Sequence, residues 1–373
     1  MRVAILTSSR ADYGIYKPLI IALNEHPSFH LSIIAFGSHL SAYHGYTVDE
    51  IRKDGFKVDY EIRSVLLTDD EESVATSIGL TMIKFAGFWS DHASQFDWVF
   101  CLGDRYEMFA AVMAGLSFGV RFAHIHGGET TLGAIDNTFR HCITLASQLH
   151  FVSADVFADR VKAILGEQSN NKDVVVTGAL SLDNLRHLKL LTTKEFLDKW
   201  SIDLSMPSIL ITIHPETVNA SENATYLEVV KSVINVLKDY YQLIITMPNT
   251  DTHGSQYRNL FKALGENDPG KIKLIENFGT QSYFTCINGV KLMIGNTSSG
   301  IIEAASFNKY VINLGDRQKG RLHGDNVFDV AYDKGEILNA LAHIESLKRE
   351  SFKNIYFKGG AVDKIIDKLI SIA

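Results

Sequence analysis

Two short runs carry side chains able to move protons. Gly103-Asp104-Arg105-Tyr106-Glu107 follows the apolar stretch Trp98-Val99-Phe100-Cys101-Leu102, and His124-Ile125-His126-Gly127-Gly128-Glu129 comes soon after. A carboxylate and an imidazole just past an apolar run suit general acid and base work. A third run, Asp136-Asn137-Thr138-Phe139-Arg140-His141, opens a helical segment, with Asp136 expected at its N-cap and Arg140 one turn on. Capping explains Asp136 as fully as catalysis does.

Later residues suit a different task. Gly295-Asn296-Thr297-Ser298-Ser299-Gly300-Ile301-Ile302-Glu303 passes from an apolar strand through small hydroxyl residues into a helix. Unpaired N–H groups at a helix start, the hydroxyls of Ser298 and Ser299 and the small Gly300 would receive phosphate oxygens. An ordinary helix cap would look the same. The next strand end, Asn313-Leu314-Gly315-Asp316-Arg317-Gln318-Lys319-Gly320-Arg321, adds cations, and the planar guanidinium forks of Arg317 and Arg321 match phosphate geometry. Together the two runs read as a diphosphate cradle. Glu303 fits either the first helical turn or a pair of ribose hydroxyls. His214, in Thr212-Ile213-His214-Pro215-Glu216-Thr217, and Arg10, in Ser9-Arg10-Ala11-Asp12-Tyr13-Gly14, also end strands, where a ligand can reach them.

His124 and His126 alternate along a strand and are expected on one side of it, with Asp104 and Glu129 in reach, which raises the question of a metal. That set supplies at most two or three ligands in no recognised pattern, so no metal is expected. His124 fits a histidine packed under the Gly127-Gly128 turn, whereas His126 is the better candidate for chemistry. Cys101, Cys142 and Cys286 are widely spaced in apolar or helical surroundings and read as packing.

The elements that must position these groups alternate. Strand-like runs Val3–Leu6, Leu31–Phe36, Trp98–Leu102, Arg121–Ile125, Leu149–Val152 and Val174–Val176 are separated by amphipathic helical stretches. A second series follows at Ser208–Ile213, Leu243–Met247, Ile272–Ile275, Leu292–Ile294 and Val311–Leu314, with helices expected over Tyr226–Tyr241 and Ser299–Phe307. Such alternation predicts an α/β protein with two doubly wound parallel sheets. The expected division is residues 1–178 and 179–360, with a C-terminal helix over 361–373.

With 373 residues, 46% hydrophobic and 21% charged, the chain is long enough for two cores. A formal net charge of −7 without a basic run argues against a nucleic-acid partner, so an anionic ligand needs a few placed cations. No apolar run is long enough for a bilayer and no signal-peptide pattern opens the chain, so a cytoplasmic location without membrane partners is expected. The first strand-to-helix turn lacks Gly-x-Gly-x-x-Gly, and no P-loop occurs, which argues against a dinucleotide cofactor or an NTPase.

The motifs quoted, together with His214-Pro215-Glu216-Thr217, resemble those of the hydrolysing UDP-N-acetylglucosamine 2-epimerases of bacterial sialic and legionaminic acid synthesis, across essentially the whole chain. The resemblance implies a GT-B architecture of two Rossmann-like domains around a cleft, no metal or nicotinamide cofactor, and a homodimer or homotetramer. It implies elimination of UDP from UDP-N-acetylglucosamine to a 2-acetamidoglucal, then hydration to N-acetylmannosamine. By the same resemblance Asp104, His126, Asp136 and His214 are catalytic. Arg10, Lys17, Arg105, Glu129, Arg140, Ser298, Ser299, Gly300, Glu303, Arg317 and Arg321 bind substrate. Relatives acting on UDP-2,4-diacetamido-2,4,6-trideoxyglucose share these motifs, so that sugar is the alternative substrate. A GT-B glycosyltransferase would not need the acid and base cluster of the first half, and a nucleotide-sugar sensor would have no use for Asp104 and Asp136.

Overall fold

The computed structural model describes residues 1–66, 68, 70–248, 253–348 and 351–373. It divides into two compact units. Unit 1 comprises Met1–Glu129, Asp136–His187 and Tyr356–Ala373, and unit 2 comprises Thr130–Ile135 and Leu188–Ile355.

Unit 1 is built on a parallel sheet of seven strands: β1 (Arg2–Thr7), β2 (His30–Phe36), β3 (Tyr60–Ile62), β4 (Trp98–Leu102), β5 (Phe122–Ile125), β6 (Leu149–Val152) and β7 (Asp173–Val176), in the order β3-β2-β1-β4-β5-β6-β7. Every residue of β4, β5 and β6 is buried, so these strands are continuous apolar runs, as strands covered on both faces must be. The C-terminal helix Ala361–Ser371 packs Ala361, Val362, Ile365 and Leu369 into the same core as Tyr16, Leu19 and Leu23 of the first helix. Asp183 holds the start of that last helix, accepting the Val362 N–H at 2.6 Å.

Unit 2 repeats the plan with six parallel strands: β8 (Ser208–Thr212), β9 (Gln242–Thr246), β10 (Ile272–Ile275), β11 (Leu292–Gly295), β12 (Val311–Leu314) and β13 (Val327–Val330), ordered β10-β9-β8-β11-β12-β13. The α/β class with two doubly wound sheets is therefore as the strand and helix alternation predicts. Two edge strands escape the sequence reading. β3 is a three-residue strand, Tyr-Glu-Ile, and β13 carries an exposed Asp329, so neither shows the apolar run of a central strand.

In both sheets the strand order reverses between two central strands, β1 and β4 in unit 1 and β8 and β11 in unit 2. Ligand-facing groups of such sheets lie beyond the carboxyl ends of those strands. Arg10 and Asp104 follow β1 and β4, whereas His214 and Asn296 follow β8 and β11. Among the described residues no helix is long and apolar enough to cross a membrane.

Candidate active site

In unit 1, β4 ends in a turn at Gly103, whose φ of +69° is a left-handed conformation that suits glycine. Next comes Asp104, which is paired with Arg140 on the helix Asp136–Ala146. Arg140 is 3% exposed, and a second of its nitrogens donates to the Glu129 carbonyl at 2.9 Å. The Glu129 side chain is fully buried, and its Oε1 lies 2.7 Å from His126 Nδ1 and accepts the Ser153 hydroxyl at 2.7 Å. Asp104, Arg140, Glu129 and His126 thus form one connected network. Asp136 stands in the first turn of the same helix, as a helical residue rather than the N-cap the sequence suggests.

The turn that joins His126 to Glu129 is tightly determined. His126 lies beyond the end of β5 with φ of +66°, and its N–H donates to the Phe151 carbonyl of β6 at 3.0 Å. Gly128 has φ of +77°, and a Cβ there would sit 2.5 Å from the Phe157 carbonyl oxygen. Arg160 donates to the Gly128 carbonyl at 2.9 Å. The expectation that His124 and His126 share one side of a strand is therefore corrected: the strand stops at Ile125 and the backbone turns left-handed at His126.

His124 is a structural residue. Its Nε2 lies 2.8 Å from the Gly103 carbonyl and its Nδ1 3.2 Å from the Thr144 hydroxyl, and burial pushes its pKa down to about 4. The imidazole is neutral and ties β5 to the turn that carries Asp104. Arg105 forks over the fully buried carboxylate of Glu107, at 3.0 and 3.2 Å. Burial raises the Glu107 pKa, and Arg105 opposes that rise. Lys17 binds Asp54 at 2.7 Å, and the Tyr13 hydroxyl donates to the same oxygen at 2.6 Å. Arg10 opens the first helix, capped by Ser9, and is half-buried. Among the described residues no three His, Cys, Asp or Glu are grouped to hold a metal ion. Burial pushes the Cys101 thiol up to about 12 and raises that of Cys286 as well, as expected of packing residues.

The constellation in unit 2 is built around Asn296, which the sequence reading passes over as one small residue among several. Its side chain accepts the His214 N–H at 2.8 Å and donates to the His214 carbonyl at 2.8 Å, clamping the end of β8 to the end of β11. Its own carbonyl accepts Gln318 Nε2 at 2.9 Å and Arg317 at 3.4 Å, and Arg321 donates to Gln318 Oε1 at 2.9 Å. One buried asparagine therefore organises His214, Arg317 and Arg321. The register beneath it requires glycine, because a Cβ on Gly295 would fall 1.9 Å from the Thr212 carbonyl oxygen.

Glu216 supports the loop from below. It is fully buried, its Oε1 accepts the Asp316 N–H at 2.7 Å, and burial raises its pKa. Gly315, with φ of +65°, makes room, since a Cβ would lie 2.3 Å from that oxygen and 2.4 Å from the Tyr332 ring. The helix opened by Ser298 is short, Ser298–Ile302, and passes into a 3-10 turn over Ala304–Phe307, so the longer helix expected there is interrupted at Glu303. Thr297 caps it. Ser299, Gly300 and Glu303 are buried and Ser298 is half-buried. Segment Thr130–Ile135 also packs in this unit, with Leu132 N–H donating to the Lys319 carbonyl and Ile135 N–H to the Thr217 hydroxyl, both at 3.0 Å.

A family model described as UDP-N-acetylglucosamine 2-epimerase matches residues 21–370. The chain is 34% identical over 352 residues to the hydrolysing GDP/UDP-N,N'-diacetylbacillosamine 2-epimerase of Campylobacter jejuni, covering 94% of this chain and 88% of that one. It is 30% identical over 371 residues to the hydrolysing UDP-N,N'-diacetylbacillosamine 2-epimerase of Legionella pneumophila, covering 100% and 96%. The crystal structure of the Neisseria meningitidis UDP-GlcNAc 2-epimerase bound to UDP-GlcNAc superposes with a TM-score of 0.79 at 19% identity, covering all of both chains, and shows the GT-B type of fold. With a family match that spans nearly the whole sequence, the chain belongs to the hydrolysing UDP-N-acetylglucosamine 2-epimerase family.

Proposed function

We propose that this protein is a hydrolysing 2-epimerase of UDP-2,4-diacetamido-2,4,6-trideoxyglucose, also called UDP-N,N'-diacetylbacillosamine. The observation that carries this choice is that two relatives, at 34% and 30% identity and matched over 88% and 96% of their length, bear that substrate in their names. UDP-N-acetylglucosamine, the substrate first suggested by the motifs, is the second reading. The family description favours it. Both sugars carry the anomeric diphosphate and the 2-acetamido group that the reaction uses, and they differ at C4 and C6.

The chemistry asks for two kinds of group. A base removes the C2 proton, the C1–O bond breaks with its electron pair leaving on UDP, and a C1–C2 double bond forms. Hydroxide from water then adds to C1 and a proton to C2 on the opposite face, releasing the free 2-epimer. Asp104, His126 and Asp136 are the proton-transfer groups in this reading, and Arg140 holds Asp104 in place. In unit 2, charge developing on the diphosphate is met by Arg317, Arg321 and the Ser298-Ser299-Gly300 turn, with His214 assisting, while Glu303 takes the ribose hydroxyls; Arg10 of unit 1 remains a candidate anion ligand. Lys17 and Arg105 are held by Asp54 and Glu107, which supports a scaffolding part for both.

Separate incubations with the two UDP-sugars in deuterated water, followed by NMR of the products, test this reading. The expected product is free 2,4-diacetamido-2,4,6-trideoxymannose with deuterium at C2, alongside UDP, and turnover of UDP-N-acetylglucosamine at least about tenfold slower. Equal or faster turnover of UDP-N-acetylglucosamine would overturn the substrate choice, and retention of the original C2 proton would overturn elimination.

A further inference from the structure

Glu129 faces the protein interior, and its Oε1 is already engaged by His126 Nδ1 and the Ser153 hydroxyl, both at 2.7 Å. The chain is folded to bring this about. Two left-handed residues, His126 and Gly128, reverse the backbone so that the fourth residue of His-Gly-Gly-Glu returns to the first, and Arg160 and Arg140 hold the Gly128 and Glu129 carbonyls. His126 Nε2 is buried and has no hydrogen-bond partner.

An ionised carboxylate only accepts hydrogen bonds, so the proton of a neutral imidazole beside it resides on the facing nitrogen, and the other nitrogen keeps its lone pair. We propose that Glu129 is a positioning residue: it fixes His126 in the Nδ1–H tautomer and presents Nε2 as the basic atom of the site, in place of the substrate-binding part that the family resemblance suggests. Ser153 completes the arrangement by holding the carboxylate against the ring. This inference rests on the assignment of proton transfer to His126 under the proposed function.

The closing experiment has a spectroscopic arm and a kinetic arm. Nitrogen-15 NMR of histidine-labelled protein is expected to show His126 with a proton on Nδ1 and a lone pair on Nε2 near neutral pH. A proton on Nε2 in the wild type would overturn the proposal whether or not the protein turns over either sugar. Kinetically, Glu129→Gln keeps the shape of the side chain and removes its charge. It is expected to lower kcat about 10- to 100-fold with KM changed less than about threefold. Because Glu129 acts through His126, the double variant Glu129→Gln/His126→Gln should be no slower than His126→Gln alone, within about threefold. A KM that rises with kcat preserved, or effects that multiply in the double variant, would overturn it. Should Glu129→Gln fail to fold, Ser153→Ala substitutes in the kinetic arm, with a smaller loss of kcat expected and the same criteria. An inactive wild type with His126 in the Nδ1–H form would count against the proposed function while leaving the tautomer assignment standing.

Discussion

The two units have the same central strand order, yet the groups beyond their strand ends are of different kinds. Beyond β4 and β5, unit 1 pairs Asp104 with Arg140 and hydrogen-bonds His126 to Glu129, the two joined through one buried guanidinium. Beyond β8 and β11, unit 2 places a neutral amide, Asn296, whose carbonyl accepts Arg317 and Gln318, and Gln318 in turn accepts Arg321. Strand order thus determines where a ligand-facing group can stand, and the loop residues determine what it does. A network of carboxylates and an imidazole suits proton movement, whereas a loop that gathers guanidinium groups suits an anion.

The sharpest way to break this contrast is to remove one charge from each unit. Asp104→Asn keeps the shape of the unit 1 network and is expected to reduce turnover about 1000-fold while UDP affinity, read by calorimetry, changes less than about threefold. Arg317→Ala should do the reverse, weakening UDP binding about 10- to 100-fold through loss of a charge-assisted contact. If Asp104→Asn weakens UDP binding as strongly as Arg317→Ala, the proposed division of labour between the units fails.

A second test concerns how the neutral hub carries its load. Asn296→Ala strands the buried N–H and carbonyl of His214. The expected loss is about 3 kcal/mol of stability in urea unfolding, with weakened UDP binding, because unpaired buried backbone groups keep their full desolvation cost. A loss below about 1 kcal/mol would show that the clamp between β8 and β11 does not depend on this side chain.

The smallest effect expected is a difference in how the units respond to acid. Burial pushes His39 and His150 down to about 3 and His124 to about 4, all in unit 1. In the unfolded chain these rings take protons near pH 6.5, so between pH 6.5 and pH 4 the unfolded state binds more protons and unit 1 loses stability as pH falls. In unit 2, Asp329 raises the pKa of His323, with a bond of 3.1 Å, so that pair contributes below pH 6.5 and its contribution is lost as pH rises through the raised value. Hydrogen exchange corrected for intrinsic rates should therefore show unit 1 protection falling relative to unit 2 between pH 7.5 and 5.5, and His39→Gln should lessen the difference. Parallel loss in both units would contradict this account.

The fold class was legible because central strands such as Trp98–Leu102 and Ser208–Thr212 are buried throughout and announce themselves as apolar runs. β3 and β13 were not, since an edge strand with Glu61 or Asp329 exposed resembles a loop. Among the candidate residues, Asp104 and His126 in unit 1 and Arg317 and Arg321 in unit 2 stood out by type and by position after a strand. Asn296 did not, because its importance lies in clamping β8 to β11, and His214 is 82 residues away in sequence. The turn at His126 was equally hidden. Nothing local distinguishes His-Ile-His on a strand from a strand that stops at Ile125, and the left-handed backbone is held from β6 by the Phe151 carbonyl.

By itself, then, the amino-acid order determined the α/β class, the two sheets and the strand ends at which acids, bases and cations gather, since period, apolar content and turn residues are properties of short stretches. Only the tertiary structure decided which of those groups meet. Asp104 and Arg140 are 36 residues apart, and their pairing arises because parallel pairing sets β4 beside β5 while the helix Asp136–Ala146 carries Arg140 back over the same strand ends. Contacts between segments distant in sequence are matters of packing geometry, and the orientation of His126 by Glu129 belongs to that second category as much as to its own four-residue motif.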